Sequence, residues 1–168
     1  MSRWSASPDD VDAVTRLLGR PPAGAFRVAV RRPNGTPVVI ENAPHLADGT
    51  PMPTLFWLVD PELSAEVSRL ESVGGVRRLE AEVDPLELAR AHEAYAARRE
   101  ELVERHELPQ PSGGVGGTRR GLKCLHAHLA ACLAGTDDPV GERILDELGP
   151  VDVVVVEDSQ GPVAGSAT

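Results

Sequence analysis

Phe26-Arg27-Val28-Ala29-Val30-Arg31, Arg32-Pro33-Asn34-Gly35-Thr36 and Pro37-Val38-Val39-Ile40, taken in succession, decide the fold. Phe26, Val28 and Val30 alternate with Arg27, Ala29 and Arg31, the period of a half-buried strand. Pro33-Asn34-Gly35 is a turn, and Pro37 to Ile40 runs back, so the stretch predicts a β-hairpin. Pro37 suits an edge or the start of a strand. Thr54 to Val59 reads as a third strand, more continuously apolar and therefore expected at the centre of the sheet. Val151 to Val156 offers a last one.

Helix starts punctuate the rest. In Ser7-Pro8, Asp60-Pro61, Asp84-Pro85 and Asp138-Pro139 an oxygen-bearing cap precedes a proline that fits the first helical position. The first helix carries Val11, Val14, Leu17 and Leu18 and stops at Gly19. The second carries Leu63, Val67 and Leu70 and stops at Gly74-Gly75. Val76 to Val83 fits helical spacing but is short. The helix from Asp84 is expected to reach about His106, and that from Asp138 to reach Leu148. Leu108 to Gly117 reads as a loop, and Thr118 to Ala134 as a further helix. The pattern is α+β: a small antiparallel sheet from the N-terminal half packed against helices of the C-terminal half. One domain is expected over 1–160, with 161–168 a disordered tail.

The 168 residues carry 17 basic and 26 acidic side chains, a formal net charge of −9. That balance argues against nucleic acid or an anionic membrane surface as partner. No apolar run approaches the roughly 18 residues of a membrane span. Residues 1–10 carry no basic patch followed by an apolar stretch. With only five aromatic residues, the core must be built from Leu, Val and Ala. Cys124 and Cys132 lie roughly 12 Å apart on the expected helix, so they read as free thiols in a cytoplasmic, reducing setting. Sixteen arginines stand against one lysine, Lys123, which resembles a GC-rich coding bias and singles Lys123 out.

Five segments together resemble a known family: Gly35-Thr36-Pro37-Val38-Val39; Asp48-Gly49-Thr50-Pro51-Met52-Pro53-Thr54-Leu55-Phe56-Trp57-Leu58; Ser68-Arg69-Leu70-Glu71; Ala91-His92-Glu93-Ala94-Tyr95; and Lys123-Cys124-Leu125-His126-Ala127-His128. The chain is similar to the bacterial domain-of-unknown-function family 501 from about Val11 to Leu148, in an actinobacterial-type version. The resemblance implies a cytoplasmic protein of no established activity. It also implies a gene neighbourhood with a septum-formation protein and an exopolyphosphatase-like enzyme. Ala131 stands where the family pattern often has a second histidine, and Asp138-Pro139 where it tends to have Asn-Pro.

On a helix from Thr118, the residues Arg120, Cys124, His128 and Cys132 share one stripe, and His126 lies roughly 160° from His128. Cys124 is then a thiol near a helix N-terminus beside Arg120, with His128 or His92 as base. The plainer alternative is a buried thiol beside a satisfied histidine. A metal set of Cys124, His128 and His92 is weakened by Ala131. His92, Tyr95 and Arg99 share an otherwise apolar helix face, and form either an internal hydrogen-bond network or one wall of a pocket facing the Cys124 stripe. Arg98 falls on the opposite, solvated face. The glycines of 113–117 and the expected helix start suggest an anion site. Arg99, Arg119, Arg120 and Lys123 would hold a small, phosphate-like ligand there, with Tyr95 and His126 lining the pocket. The Asp48–Pro53 loop with His45 could wall a site or simply fix a corner. The reading these residues favour is a protein that binds a small anionic ligand in a regulatory or accessory role; the alternatives are a thiol-dependent hydrolase or transferase, and a partner-binding protein without chemistry, which the resemblance would link to cell division or polyphosphate metabolism. No cofactor is named by these residues.

Overall fold

The computed structural model describes residues 2–158; the expected tail at 161–168 lies outside them. Its order is α1 (Pro8–Leu18), β1 (Phe26–Arg31), β2 (Pro37–Asn42), β3 (Phe56–Leu58), α2 (Pro61–Ser72), α3 (Gly75–Glu82), α4 (Pro85–Glu101), α5 (Leu125–Leu133), α6 (Pro139–Leu148) and β4 (Val154–Val155). The fold is α+β. The oxygen–proline starts behave as chemistry dictates. Ser7 accepts from the Asp10 amide, Asp60 from Leu63, Asp84 from Leu86 and Glu87, and Asp138 from Val140 and Gly141. Each side chain satisfies amides that a helix start leaves without intrahelical partners. The short stretch from Val76 falls in a helix, Gly75–Glu82, and α4 ends five residues before His106.

All pairings in the sheet are antiparallel, in the order β3-β2-β1-β4. Phe26 faces Asn42, Arg27 faces Glu41 and Val28 faces Ile40; the register then shifts around Ala29, a bulge that lets both Ala29 and Val30 be buried. β3 is therefore an edge strand, not the central one. Its apolar run has another cause. Phe56 and Leu58 are buried in the main core with Leu125, Leu129 and Leu133 of α5, which packs beside this strand. α1 lays Val14 against Phe26, Val28 and Ile40 in a second, smaller cluster, so helices do not cover one face alone. Burial at about 25 cal/mol per Å² drives both clusters.

One charge sits inside this packing. Glu41, fully buried on β2, is held by Arg27 across the ladder, by Arg3 at 3.0 Å and by Arg98 of α4 at 2.9 Å. Arg98 was expected on a plain solvated face; its guanidinium instead reaches over Phe56 to close this network. Burial alone would raise the Glu41 carboxyl, but Arg27, Arg98 and Arg3 outweigh it and hold it below the usual glutamate range. A folded-state value below the unfolded one gives stability that is present at neutral pH and lost as pH falls. Glu41→Gln should cost about 2–3 kcal/mol in denaturant unfolding at pH 7, since it leaves the partly buried Arg3, Arg27 and Arg98 without their carboxylate. It should also flatten the loss of stability below about pH 4.3 relative to the parent. A variant within about 0.5 kcal/mol of the parent would contradict this role.

Candidate functional site

Seven residues that read as helix are not. The segment from Thr118 to Cys124 is irregular, and α5 begins at Leu125 with Cys124 as its N-cap. Gly121 is the reason. It takes φ +66°, and a Cβ there would fall 2.3 Å from Glu80 Oε1. That carboxylate accepts the Leu122 amide at 2.7 Å. Its neighbour in the arrangement is Glu71, near the end of α2, which accepts the Leu125 amide at 3.0 Å. The helix start at Thr118 on which the expected anion site rested is absent, and the Leu122 and Leu125 amides just beyond it donate to the protein's own carboxylates. Arg119, Arg120 and Lys123 are exposed and do not share a helix face.

The break changes which residues meet. Cys124 does not pair with His128. His128 is fully buried, with Nδ1 donating to Asp138 at 2.7 Å and its ring edge-on to His92, centroids 5.7 Å apart. Its Nε2 has no hydrogen-bond partner among the described residues. His128 and Asp138 therefore tie α5 to the start of α6. The ligand set Cys124, His128 and His92 is not assembled. Instead, Glu71, Cys124 and His126 present ligand atoms all within 4.8 Å of one another. His126 Nε2 lies 3.1 Å from the Ser64 carbonyl and 3.1 Å from Ser68 Oγ, and Nδ1 lies 3.3 Å from Glu71 Oε1. A carbonyl only accepts, so Nε2 carries a proton and Nδ1 is the basic nitrogen.

Electrostatics follow from this geometry. Hydrogen bonding to Cys124 raises His126 to about 9, against its burial and with help from the Glu71 charge. Burial would raise the Cys124 thiol, but His126 and the Ala127 amide outweigh it and leave it below the ordinary thiol value. Cys132 has no such partners. Burial and the charges of Asp138, Glu142 and Asp137 push it up to about 12. Arg120, expected to lower the Cys124 thiol, is not among the groups that do so; His126 and the Ala127 amide take its place.

Cys124 and His126 line a cleft of about 810 Å³. Its walls are Pro51, Pro53 and Thr54 on one side and Pro111, Gly116 and Gly117 on another, with Phe56, Trp57 and Leu58 between and Lys123 at the edge. That is within the roughly 300–1,000 Å³ that small ligands occupy. The Asp48–Pro53 loop does wall this site, through its prolines. His45 does not: it bonds the Pro109 carbonyl at 2.9 Å and borders a separate, smaller cavity.

The α4 stripe is a hydrogen-bond network that builds these walls. Arg99 donates to the carbonyls of Pro53 and Gly113, both at 2.8 Å. The Tyr95 hydroxyl accepts the amides of Leu55 at 2.7 Å and Phe56 at 3.2 Å. His92 Nδ1 accepts the Val115 amide at 3.0 Å while Nε2 donates to Gly121 at 2.8 Å. The ring lies so close to Gly114 that a Cβ there would come within 2.5 Å of Nδ1. Burial lowers His92, keeping it in the neutral form that can accept. Of the expected ligand-binding residues, His126 and Lys123 reach the cleft. Tyr95 and Arg99 support it from behind, and Arg119 borders a neighbouring cavity with Arg99.

The family model described as Protein of unknown function (DUF501) matches residues 28–146. No curated protein and no solved structure matches the chain.

Arg99→Lys keeps the charge but loses the fork that spans two carbonyls. It should lower stability by about 2–3 kcal/mol in denaturant unfolding. Hydrogen exchange should quicken at Val115 and Leu55, at the two walls, before it does so in β1. Unchanged exchange at those amides would show that the walls stand without the clamp.

Proposed function

The chain belongs to the DUF501 family of proteins of unknown function, and we propose that it is a thiol-dependent hydrolase or transferase with Cys124 as nucleophile and His126 as general base. The observation that carries this reading is the placement of Cys124. It stands at the N-cap position of α5 on a cleft wall, with the Nδ1 side of His126 and the Glu71 carboxylate beside it. A thiolate at a helix N-terminus beside an imidazolium is stabilised and accessible.

In the proposed cycle, the thiol proton already rests on His126 as the imidazolium, and the thiolate sulfur attacks an acyl carbon. A sulfur–carbon bond forms, and the leaving group departs with the proton returned by His126. Water or another nucleophile, deprotonated by His126, then releases the acyl group and regenerates the thiolate. Glu71 holds the imidazolium, and the Ser64 carbonyl fixes its tautomer. Lys123 at the edge offers one cation for an anionic group on the substrate. This retains the cationic element of an anion-binding role while moving it from an isolated site to the cleft. Two free thiols support a reducing, cytoplasmic setting. Among the described residues no helix is long and apolar enough to cross a membrane. The arginine-rich, lysine-poor composition supports an actinobacterial origin.

Iodoacetamide labelling of the native, chelator-treated protein, followed by peptide mapping, tests the nucleophile. Cys124 should label at least about tenfold faster than Cys132, and His126→Asn should remove most of that advantage. A p-nitrophenyl ester should leave an acyl group on Cys124 that later clears. Equal labelling of both thiols, or no acyl adduct, would overturn the reading.

A further inference from the structure

The same three side chains have a second capacity. A tetrahedral zinc ion with bonds of about 2.0–2.3 Å sets its ligand atoms about 3.3–3.7 Å apart. His126 Nδ1 and Glu71 Oε1 already stand 3.3 Å apart. The Cys124 sulfur completes a trio within 4.8 Å, so closing the set asks for a movement of about 1 Å or so at one side chain. Thiolate, imidazole and carboxylate together select a borderline-soft transition ion over magnesium or calcium.

What lies behind the trio is an independent observation. A metal-bound histidine nearly always donates its other ring N–H to a carbonyl or carboxylate, which fixes the ring and raises its basicity. His126 Nε2 does this towards the Ser64 carbonyl at 3.1 Å. The liganding carboxylate is also held, since Glu71 accepts the Leu125 amide at 3.0 Å. All three groups are half-buried, and Cys124 and His126 open on the cleft. Three protein ligands and one open position form the pattern of a reactive or exchangeable zinc site, not a closed structural one.

We propose that Glu71, Cys124 and His126 bind one Zn²⁺ ion, and that its occupancy withdraws the Cys124 thiolate from reaction at the cleft. The metal site stands on geometry alone; the regulatory consequence rests on the thiol-dependent reading above. Binding releases the thiol proton and forms a zinc–sulfur bond. Zinc undergoes no change of oxidation state, so no oxidant or reductant enters.

Metal-free, reduced full-length protein is titrated with Zn²⁺ against a chromophoric chelator and, separately, with Co²⁺. The expected result is one equivalent bound, with thiolate-to-cobalt charge-transfer absorption and the intense visible bands of a tetrahedral ion. Cys124→Ser should abolish the charge-transfer band, and Glu71→Gln should weaken binding at least about tenfold, within the 10–100-fold common for lost metal-site contacts. Cys132→Ser should leave both unchanged. One equivalent of Zn²⁺ should slow iodoacetamide labelling of Cys124 at least about tenfold, the change expected if under about a tenth of the thiol stays free. Circular dichroism of each variant guards against unfolding as the cause. No stoichiometric binding, or binding that survives in folded Cys124→Ser, overturns the metal site, even if metal-free Cys124 labels quickly. Tight zinc binding together with an unreactive metal-free Cys124 overturns the regulatory role and the thiol reading, and leaves the metal site standing.

Discussion

A buried guanidinium bonded to carbonyls holds the two walls of the cleft together. Arg99 is 3% exposed, and its strongest contacts are backbone carbonyls on segments that have no regular structure of their own. Irregular backbone can be buried only if every polar group finds a partner. Tyr95 and His92 extend the same service one and two turns earlier along α4, towards the Leu55–Phe56 and Val115–Gly121 amides and carbonyls. One rigid helix thus supplies the missing partners for both loops. The cleft is the space left between loops spaced by α4.

The chemistry at the cleft floor depends on a second substitution of partners. A helix N-terminus attracts negative charge, and at α5 the charge comes from Glu71, 54 residues away in sequence. The carboxylate reaches both the Leu125 amide and the His126 ring, so helix capping and histidine orientation are one interaction. Cys124 and Cys132 show the consequence. They stand at opposite ends of α5 and are both half-buried. One thiol is drawn down by an imidazole and an amide, and the other is pushed up by burial among carboxylates.

Much of the fold was legible because its signals are local. The hairpin and the four oxygen–proline helix starts depend on neighbours within a few residues, and each formed where its residues dictate. The family resemblance also held, over the stretch the match covers. The site was legible only in part. Cys124 could be singled out as a candidate, but its partner could not, because choosing between His126 and His128 required knowing where α5 starts. A wheel drawn from Thr118 places Arg120 and His128 beside the thiol. Gly121 alone signalled a break, since glycine inside a helix costs about 1 kcal/mol relative to alanine. Nothing near Gly121 in sequence reveals the Glu80 carboxylate that fills its place. The edge position of β3 was hidden in the same way: its apolar run reports the helix lying beside it, which is not adjacent in sequence.

Three residues break local rules, and each contacts a segment that lines or adjoins the cleft. Glu71 puts a negative charge in the last turn of α2, where the helix's own dipole disfavours it. Gly121 interrupts a sequence otherwise suited to helix, and Arg99 buries a charge that meets carbonyls and no carboxylate among the described residues. Each violation is resolved by a distant group: the α5 amide for Glu71, the Glu80 carboxylate for Gly121, and two loop carbonyls for Arg99. Local conflict relieved by tertiary contact is the expected mark of a functional region. Through Glu71 and Gly121 those distant contacts set where α5 starts, and the start of α5 decides that His126 and Glu71, not His128, stand beside the Cys124 sulfur.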